Sequence, residues 1–183
     1  MTDTPHFSLV VPAFNEEDSI EVLAGEIHEA MSSLDKSYEV IWVDDGSTDS
    51  TAEAMQRTTR DANNVKIVKL GRNMGKSEAY TRGFKAAQGK LVITLDADLQ
   101  DNPAEIPRLL EVIEDGYDLV VGRKMGRMGN EPRKAIVSRP FNFMLRKLFG
   151  LDLHDTNSGF RIMRSDVSRS LDLYGDLYRF IPQ

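Results

Sequence analysis

The chain has no cysteine, three histidines and one tryptophan among its 183 residues. Lack of cysteine excludes a disulfide framework and any thiolate metal site, and it suits a reducing compartment. His6, His28 and His154 show no ligand spacing, which argues against a histidine-built metal centre. No apolar run approaches the roughly 18 residues that a membrane-spanning helix needs. The opening MTDTPHFSLVVPAFNEE lacks a basic stretch followed by a long apolar one, so no signal peptide is read there. A Rossmann G-x-G-x-x-G is missing too. In GRNMGKS, Gly71 and Gly75 enclose three residues where a phosphate-cradling P-loop needs four. Together these absences favour a soluble cytoplasmic domain with no transmembrane helix in this chain.

What is present is an ordinary folding composition, 40% hydrophobic and 28% charged, in a chain long enough for one well-cored domain. The net charge of −6 is unevenly spread. Arg123, Lys124, Arg127, Arg133, Lys134, Arg139, Arg146 and Lys147 face Glu131 alone, a local +7 that leaves −13 on the rest. Such asymmetry points to an anionic partner meeting one face. The segment from Pro132 to Leu151 has no acid and interleaves Phe141, Phe143, Met144, Leu148 and Phe149, the pattern of a helix lying on an anionic membrane surface. Nucleic acid fits less well, because the chain as a whole is acidic.

Up to about residue 122 the hydrophobic period switches back and forth. FSLVV ends at Pro12 and is followed by Ile20, Leu23, Ala24, Ile27 and Met31 at helical spacing. YEVIWV precedes a helix from about Asp49, VKIVKL one from about Lys76, LVITL one from Pro103, and YDLVV a loop. Strands alternating with helices predict a mostly parallel sheet covered on both faces. Beyond Gly122 the alternation fails: a Gly-rich basic loop, a basic amphipathic helix over 134–149, then a turn, a short strand and a helix start.

In such a sheet, ligands gather outside the carboxyl ends of the strands. Four polar clusters are expected there: Pro12 to Glu16, Asp44 to Asp49, Gly71 to Lys76 and Asp96 to Gln100. The last is the most telling, since VITL runs straight into Asp96, Asp98 and Asp101 with no Lys or Arg beside them in sequence. If Asp96, Asp98 and Gln100 prolong the strand, they form a one-sided row of hard oxygen donors suited to Mg2+ or Mn2+ and a diphosphate. Asp101 or Asn102 before Pro103 is helix-capping chemistry and accounts for neither Asp96 nor Asp98. DDGSTDST reads equally as a turn, with Ser47 or Thr48 capping the next helix, or as a partner for a base or ribose. Lys76 at a helix start either reaches phosphate or is merely solvated.

Taken together and in order, VVPAFNEE, VDDGSTDST, GRNMGKSEAYTRGFKAAQGKLVITLDADLQDNP, GYDLVVGRK and DTNSGFRIMR resemble the inverting family 2 glycosyltransferases of the GT-A fold. Within them the chain is most similar to the dolichol-phosphate mannosyltransferase and bacterial polyprenyl-phosphate glycosyltransferase group. The resemblance implies an α/β, Rossmann-like, open and mostly parallel sheet with helices on both faces. Residues 1–122 would form the nucleotide-sugar-binding core, and 123–183 an acceptor-side segment of the same domain, truncated after Gln183 relative to the family.

It also implies transfer of a sugar from a UDP- or GDP-linked donor to a polyprenyl phosphate at the cytoplasmic face of a membrane. The metal, Mg2+ or Mn2+, would be held by Asp96, Asp98 and Gln100. Pro12, Phe14, Asn15, Glu16, Asp44, Asp45, Ser47, Lys76, Asp96 and Ala97 match the donor pocket, with Phe14 standing where Tyr is frequent. Arg123, Arg133, Lys134, Ser138 and Arg139 match acceptor-phosphate positions. Asp155, opening D-x-x-x-G-F, falls beside the donor sugar and is expected, with Asp98, to act in catalysis. A non-lipid acceptor, and a sugar-nucleotide-binding piece without turnover, are the competing expectations. Nothing in the motifs decides for or against a homo-oligomer.

Overall fold

A computed structural model of the protein describes residues 4–60, 62–122 and 159–171. The strands are β1 (Phe7–Ala13), β2 (Tyr38–Asp44), β3 (Val65–Lys69), β4 (Leu91–Thr94), β5 (Leu119–Val121) and β6 (Arg161–Arg164). The helices are α1 (Ile20–Ser32), α2 (Thr51–Thr58), α3 (Lys76–Ala86), α4 (Ile106–Glu114), entered through a 3-10 turn over Pro103–Glu105, and α5 (Ser165–Ser170). Among the described residues they form one sheet of order β3-β2-β1-β4-β6-β5. All strands run one way except β6, which is antiparallel to both neighbours. The expected open, mostly parallel sheet is therefore present, with β6 inserted between β4 and β5.

Alternation along the strands builds two cores. Leu9, Val11 and Ala13 of β1, with Val40 and Trp42 of β2, face the layer of α1, α2 and α4. Val10, Ile41 and Val43 face α3 and α5 with Tyr80 and Phe84. In α1, Ile20, Leu23, Ile27 and Met31 recur at helical spacing and are all buried, so the predicted amphipathic stripe is the packed one.

Pro12 lies inside β1 rather than ending it, pairing in register with Val43. Main-chain direction explains why. Even-numbered residues of β1 face β4, since Leu95 N donates to the Val10 carbonyl, while Asp45 N donates to that of Ala13 on the β2 side. Pro12 therefore has no N–H to offer β4, and the β1–β4 ladder stops at Val10 and Thr94. Beyond it, the chain from Leu95 leaves the sheet, which frees Asp96 to Asp101 for a turn.

At the opposite end of the strands Glu39, 4% exposed, ties the sheet together. Its Oε1 accepts from Ser8 Oγ at 2.6 Å and Gln88 N at 2.7 Å, and its Oε2 meets Lys66 Nζ at 2.6 Å. Burial alone would raise this carboxyl; the bonds from Lys66, Ser8 and Gln88 outweigh it and hold Glu39 below its ordinary value.

Candidate active site

The strand-end clusters meet where they were expected to. A cleft of about 270 Å³ is lined by Pro12, Ala13, Phe14 and Glu16 after β1, Asp45 after β2, Asn73, Gly75, Lys76 and Ala79 around the start of α3, and Asp96, Ala97 and Asp98 after β4. It sits between β1 and β4, where the sheet order reverses, the usual crevice of an open α/β sheet. A larger hollow of about 540 Å³ lies between α1, α2 and β3. Two polar pairs line it, Arg57–Glu21 at 2.7 Å and His28 Nδ1 with the Tyr38 hydroxyl at 3.0 Å.

Three expected donor-pocket residues build the rim instead of lining it. Asn15, in a left-handed conformation (φ 57°) that Asn tolerates, accepts from Thr48 N at 2.9 Å, while its own N–H donates to Ser47 Oγ at 3.1 Å. Ser47 N donates to Asp44 Oδ1 at 2.8 Å, and the fully buried Asp44 faces Lys69 Nζ at 3.9 Å. Ser47 and Thr48 are thus staples between the β1 and β2 loops, not caps: α2 starts at Thr51, whose N–H and hydroxyl are taken by Asp49 Oδ1. Asp45 does line the cleft. Its two oxygens accept from Met74 N at 2.7 Å and Gly75 N at 2.9 Å, fixing the loop that leads into α3.

The acids after β4 are not a strand continuation. β4 ends at Thr94, Leu99 has a φ of 58°, and Gln100 N donates to Asp98 Oδ1 at 3.1 Å, so the chain curls and the period-two row is not formed. Asp96 points into the cleft floor, Asp98 and Gln100 are exposed, and Gln100 is not among the residues lining the cleft. The capping alternatives separate cleanly. Asn102 caps the 3-10 turn through Ala104 N at 3.1 Å, while Asp101 Oδ2 accepts from Asp96 N at 3.0 Å and holds the turn closed.

Asp96 has no basic residue beside it in sequence, yet α3 brings one in space. Lys76 Nζ lies 2.5 Å from Asp96 Oδ1, and the Tyr80 hydroxyl donates to the same oxygen at 3.2 Å. Complete burial, then the Asp96 charge, push the Tyr80 phenol well above its ordinary value, so it stays a donor. On the far side Gly159 abuts Asp96: a Cβ there would fall inside 3.0 Å of the carboxylate carbon and both oxygens. Arg161, 2% exposed on β6, adds its positive charge near Tyr80. Tyr80, Gly159 and Arg161 were not singled out from sequence. The signals were there in outline: Tyr80 is one helical turn from Lys76, and Arg161 directly follows the G-F pair. Glu16 completes the acid face. Partial burial, with Asp98, Asp49 and Asp96 nearby, holds its carboxyl above the ordinary value against the lowering effect of Ser19.

Arg123, Arg133, Lys134, Ser138, Arg139 and Asp155, with the basic helix expected over 134–149, lie outside the described residues. Among the described residues no helix is long and apolar enough to cross a membrane.

The sequence model of glycosyl transferase family 2 matches residues 8–171. The chain belongs to this family. A dodecaprenyl-phosphate galacturonate synthase of Rhizobium johnstonii is 37% identical over 177 residues, covering 96% of this chain and 52% of that protein. An undecaprenyl-phosphate 4-deoxy-4-formamido-L-arabinose transferase of Edwardsiella ictaluri is 38% identical over 176 residues, 96% and 54% of the two chains. The chain spans about half the length of these relatives. Glucosyl-3-phosphoglycerate synthase of Mycobacterium tuberculosis, solved with Mn2+ and UDP-glucose, superposes with a TM-score of 0.67 at 27% identity, over 92% of this chain and 59% of that one.

For a family 2 glycosyltransferase the donor set can be tested against a divalent ion. No group of three or more acid or imidazole ligands converges among the described residues, so the protein alone offers no cage. Two carboxylates at a cleft floor, Asp96 and Asp98, fit an ion that takes its remaining ligands from water and phosphate, as Mg2+ and Mn2+ do.

Proposed function

We propose that the chain carries the donor site of an inverting glycosyltransferase that moves a sugar from a UDP- or GDP-linked donor to a polyprenyl phosphate. The observation that carries this reading is the Asp96–Asp98 pair on the cleft floor with Lys76 at its edge. That the relatives named above act on polyprenyl phosphates supports the acceptor. Phe14, Pro12, Glu16 and Asp45 form the wall against which base and ribose rest, behind the scaffold of Asn15, Asp44 and Ser47. Ala97 gives the diphosphate close access to the main chain, and Lys76 offers it a cation. Asp96 and Asp98 would hold Mg2+ or Mn2+, which would supply charge stabilisation as the diphosphate departs, while Gln100, the third expected ligand, stands outside the cleft lining.

An acceptor phosphate has a second pKa near ~6 and is already largely anionic at neutral pH, so its oxygen attacks the anomeric carbon without a strong base. Asp155 then orients the sugar or acts as a weak base. Arg123, Arg133, Lys134, Ser138 and Arg139 hold the acceptor phosphate at the membrane surface. Positioning and electrostatics carry the rate. The mycobacterial synthase, solved with phosphoglyceric acid, supports a second reading in which the acceptor is a small phosphorylated molecule.

Calorimetric titration of UDP and GDP with and without Mn2+ tests the donor site. Metal-dependent binding that is lost in Asp98→Ala is expected; undiminished, metal-independent binding in that variant refutes the metal assignment. Transfer assays offering polyprenyl phosphate and phosphoglycerate in parallel separate the two acceptors.

A further inference from the structure

Lys76 and Tyr80 are four residues apart on α3, so their side chains leave the same face of the helix. Both reach Asp96 Oδ1, at 2.5 Å and 3.2 Å, and the ammonium stands 6.0 Å from the Tyr80 ring centroid. The carboxylate has little freedom to avoid them. Asp101 holds its main-chain N–H, Tyr80 is fully buried behind it, and the Gly159 backbone closes the other side without room for a side chain. Lys76, in contrast, is 31% exposed along its side chain and hangs from the first residue of α3, behind the turn at Gly75. One partner of the ion pair is clamped and the other is a long, partly exposed cation.

A divalent ion approaching this floor therefore competes with an ammonium for the same oxygen. A nucleotide diphosphate changes the balance, because it offers Lys76 new anionic oxygens in the same cleft. We propose that Lys76 is a resident counter-ion of Asp96 that keeps bare divalent metal out and hands the carboxylate over only when a nucleotide diphosphate takes up its ammonium. This rests on the donor-site reading above and adds to it an order: metal and diphosphate bind as a coupled pair. By linkage the coupling is reciprocal, each ligand raising affinity for the other by the same factor.

The test is Mn2+ binding followed by the loss of the free-ion electron paramagnetic resonance signal, without nucleotide and with saturating UDP or GDP. Wild type should bind bare Mn2+ weakly and gain affinity strongly with the nucleotide. Lys76→Met should bind bare Mn2+ about tenfold more tightly, the scale of removing one close cation from a partly exposed site. It should bind nucleotide in Mn2+ less tightly than wild type, so that the coupling factor shrinks. Lys76→Arg should behave like wild type, and Lys76→Gln should repeat the Met result if Met perturbs folding. Bare-Mn2+ affinity in Met and Gln variants equal to wild type overturns the counter-ion role while leaving the donor site standing. Wild-type protein whose nucleotide binding is indifferent to Mn2+ overturns both.

Discussion

Removing one oxygen atom from Tyr80 isolates what its hydrogen bond does for Asp96. The side chain is fully buried, and Phe keeps its shape, so Tyr80→Phe opens no cavity. A hydrogen bond to a charged acceptor contributes about 1.5–3 kcal/mol. At 3.2 Å the Tyr80–Asp96 bond is longer than the ~2.5–2.7 Å of a strong O–H···O⁻ contact, which places it at the low end, about 1.5 kcal/mol. For a chain of this size each kcal/mol moves the thermal midpoint by about 2–4 °C, so a fall of roughly 3–6 °C is expected. Asp96 keeps Lys76 and the Gly159 wall, so nucleotide affinity in Mn2+ should drop only severalfold. A double-mutant cycle with Asp96→Asn makes the test specific: the neutral amide should shrink the Tyr80→Phe penalty to less than half. An equal penalty in both backgrounds, or an unchanged midpoint, refutes the idea that Tyr80 acts through the carboxylate.

Glu39→Ala leaves the Ser8 hydroxyl, Gln88 N–H and Lys66 ammonium without their shared acceptor and should cost about 3 kcal/mol in urea denaturation, with donor titrations unchanged because Glu39 lies at the far end of the strands. Since its carboxyl is held low, the Glu39 contribution is complete above the unfolded value of about 4.3 and drains as pH falls through the lower folded value, so Glu39→Gln should flatten the acid limb of stability against pH. Gly46→Ala meets both a φ of 72° and the main chain of Arg72 and Asn73, so it should cost at least about 2 kcal/mol in the same denaturation assay and weaken nucleotide binding through the loop that Asp45 holds.

Period and punctuation carried the fold a long way. The apolar runs of β1 to β5, the stripe of α1 and the start of α3 at Lys76 are where the sequence put them, most plainly for β1, β2 and β4, because burial on both faces leaves a strong mark in composition. The placing of β6 between β4 and β5 was not readable, since RIMR carries no signal for which strand it pairs with. The acid cluster was readable as chemistry but not as geometry. Its turn follows from Pro12 on a different strand, which withdraws a donor from β4. Likewise the missing counter-charge of Asp96 could not be found in its own neighbourhood, because Lys76 is twenty residues away and arrives on α3. Ser47 and Thr48 look like caps locally, and only the meeting of two loops turns them into staples for Asn15.

Glu39 and Glu16 mark opposite ends of the strands, and their opposite shifts separate what stabilises the fold from what equips the cleft. The Glu16 carboxyl is held above its ordinary value by partial burial and by Asp98, Asp49 and Asp96, so the folded chain binds its proton more tightly than the unfolded chain does. Stability must then fall as pH rises from the unfolded value of about 4.3 through the raised folded one, and ionised Glu16 opposes folding at neutral pH. Glu16→Gln keeps an oxygen for Ser19 and removes that charge. Its thermal midpoint should exceed wild type at about pH 7 and converge with it below about pH 4. Saturating Mn2+ with nucleotide should reverse the order, because the added cation relieves the repulsion in wild type, while the variant has lost the carboxylate that attracts that cation to the cleft. A lower midpoint for Glu16→Gln at neutral pH without ligand would mean that Glu16 serves the scaffold, as Asn15 and Ser47 do, rather than the cleft.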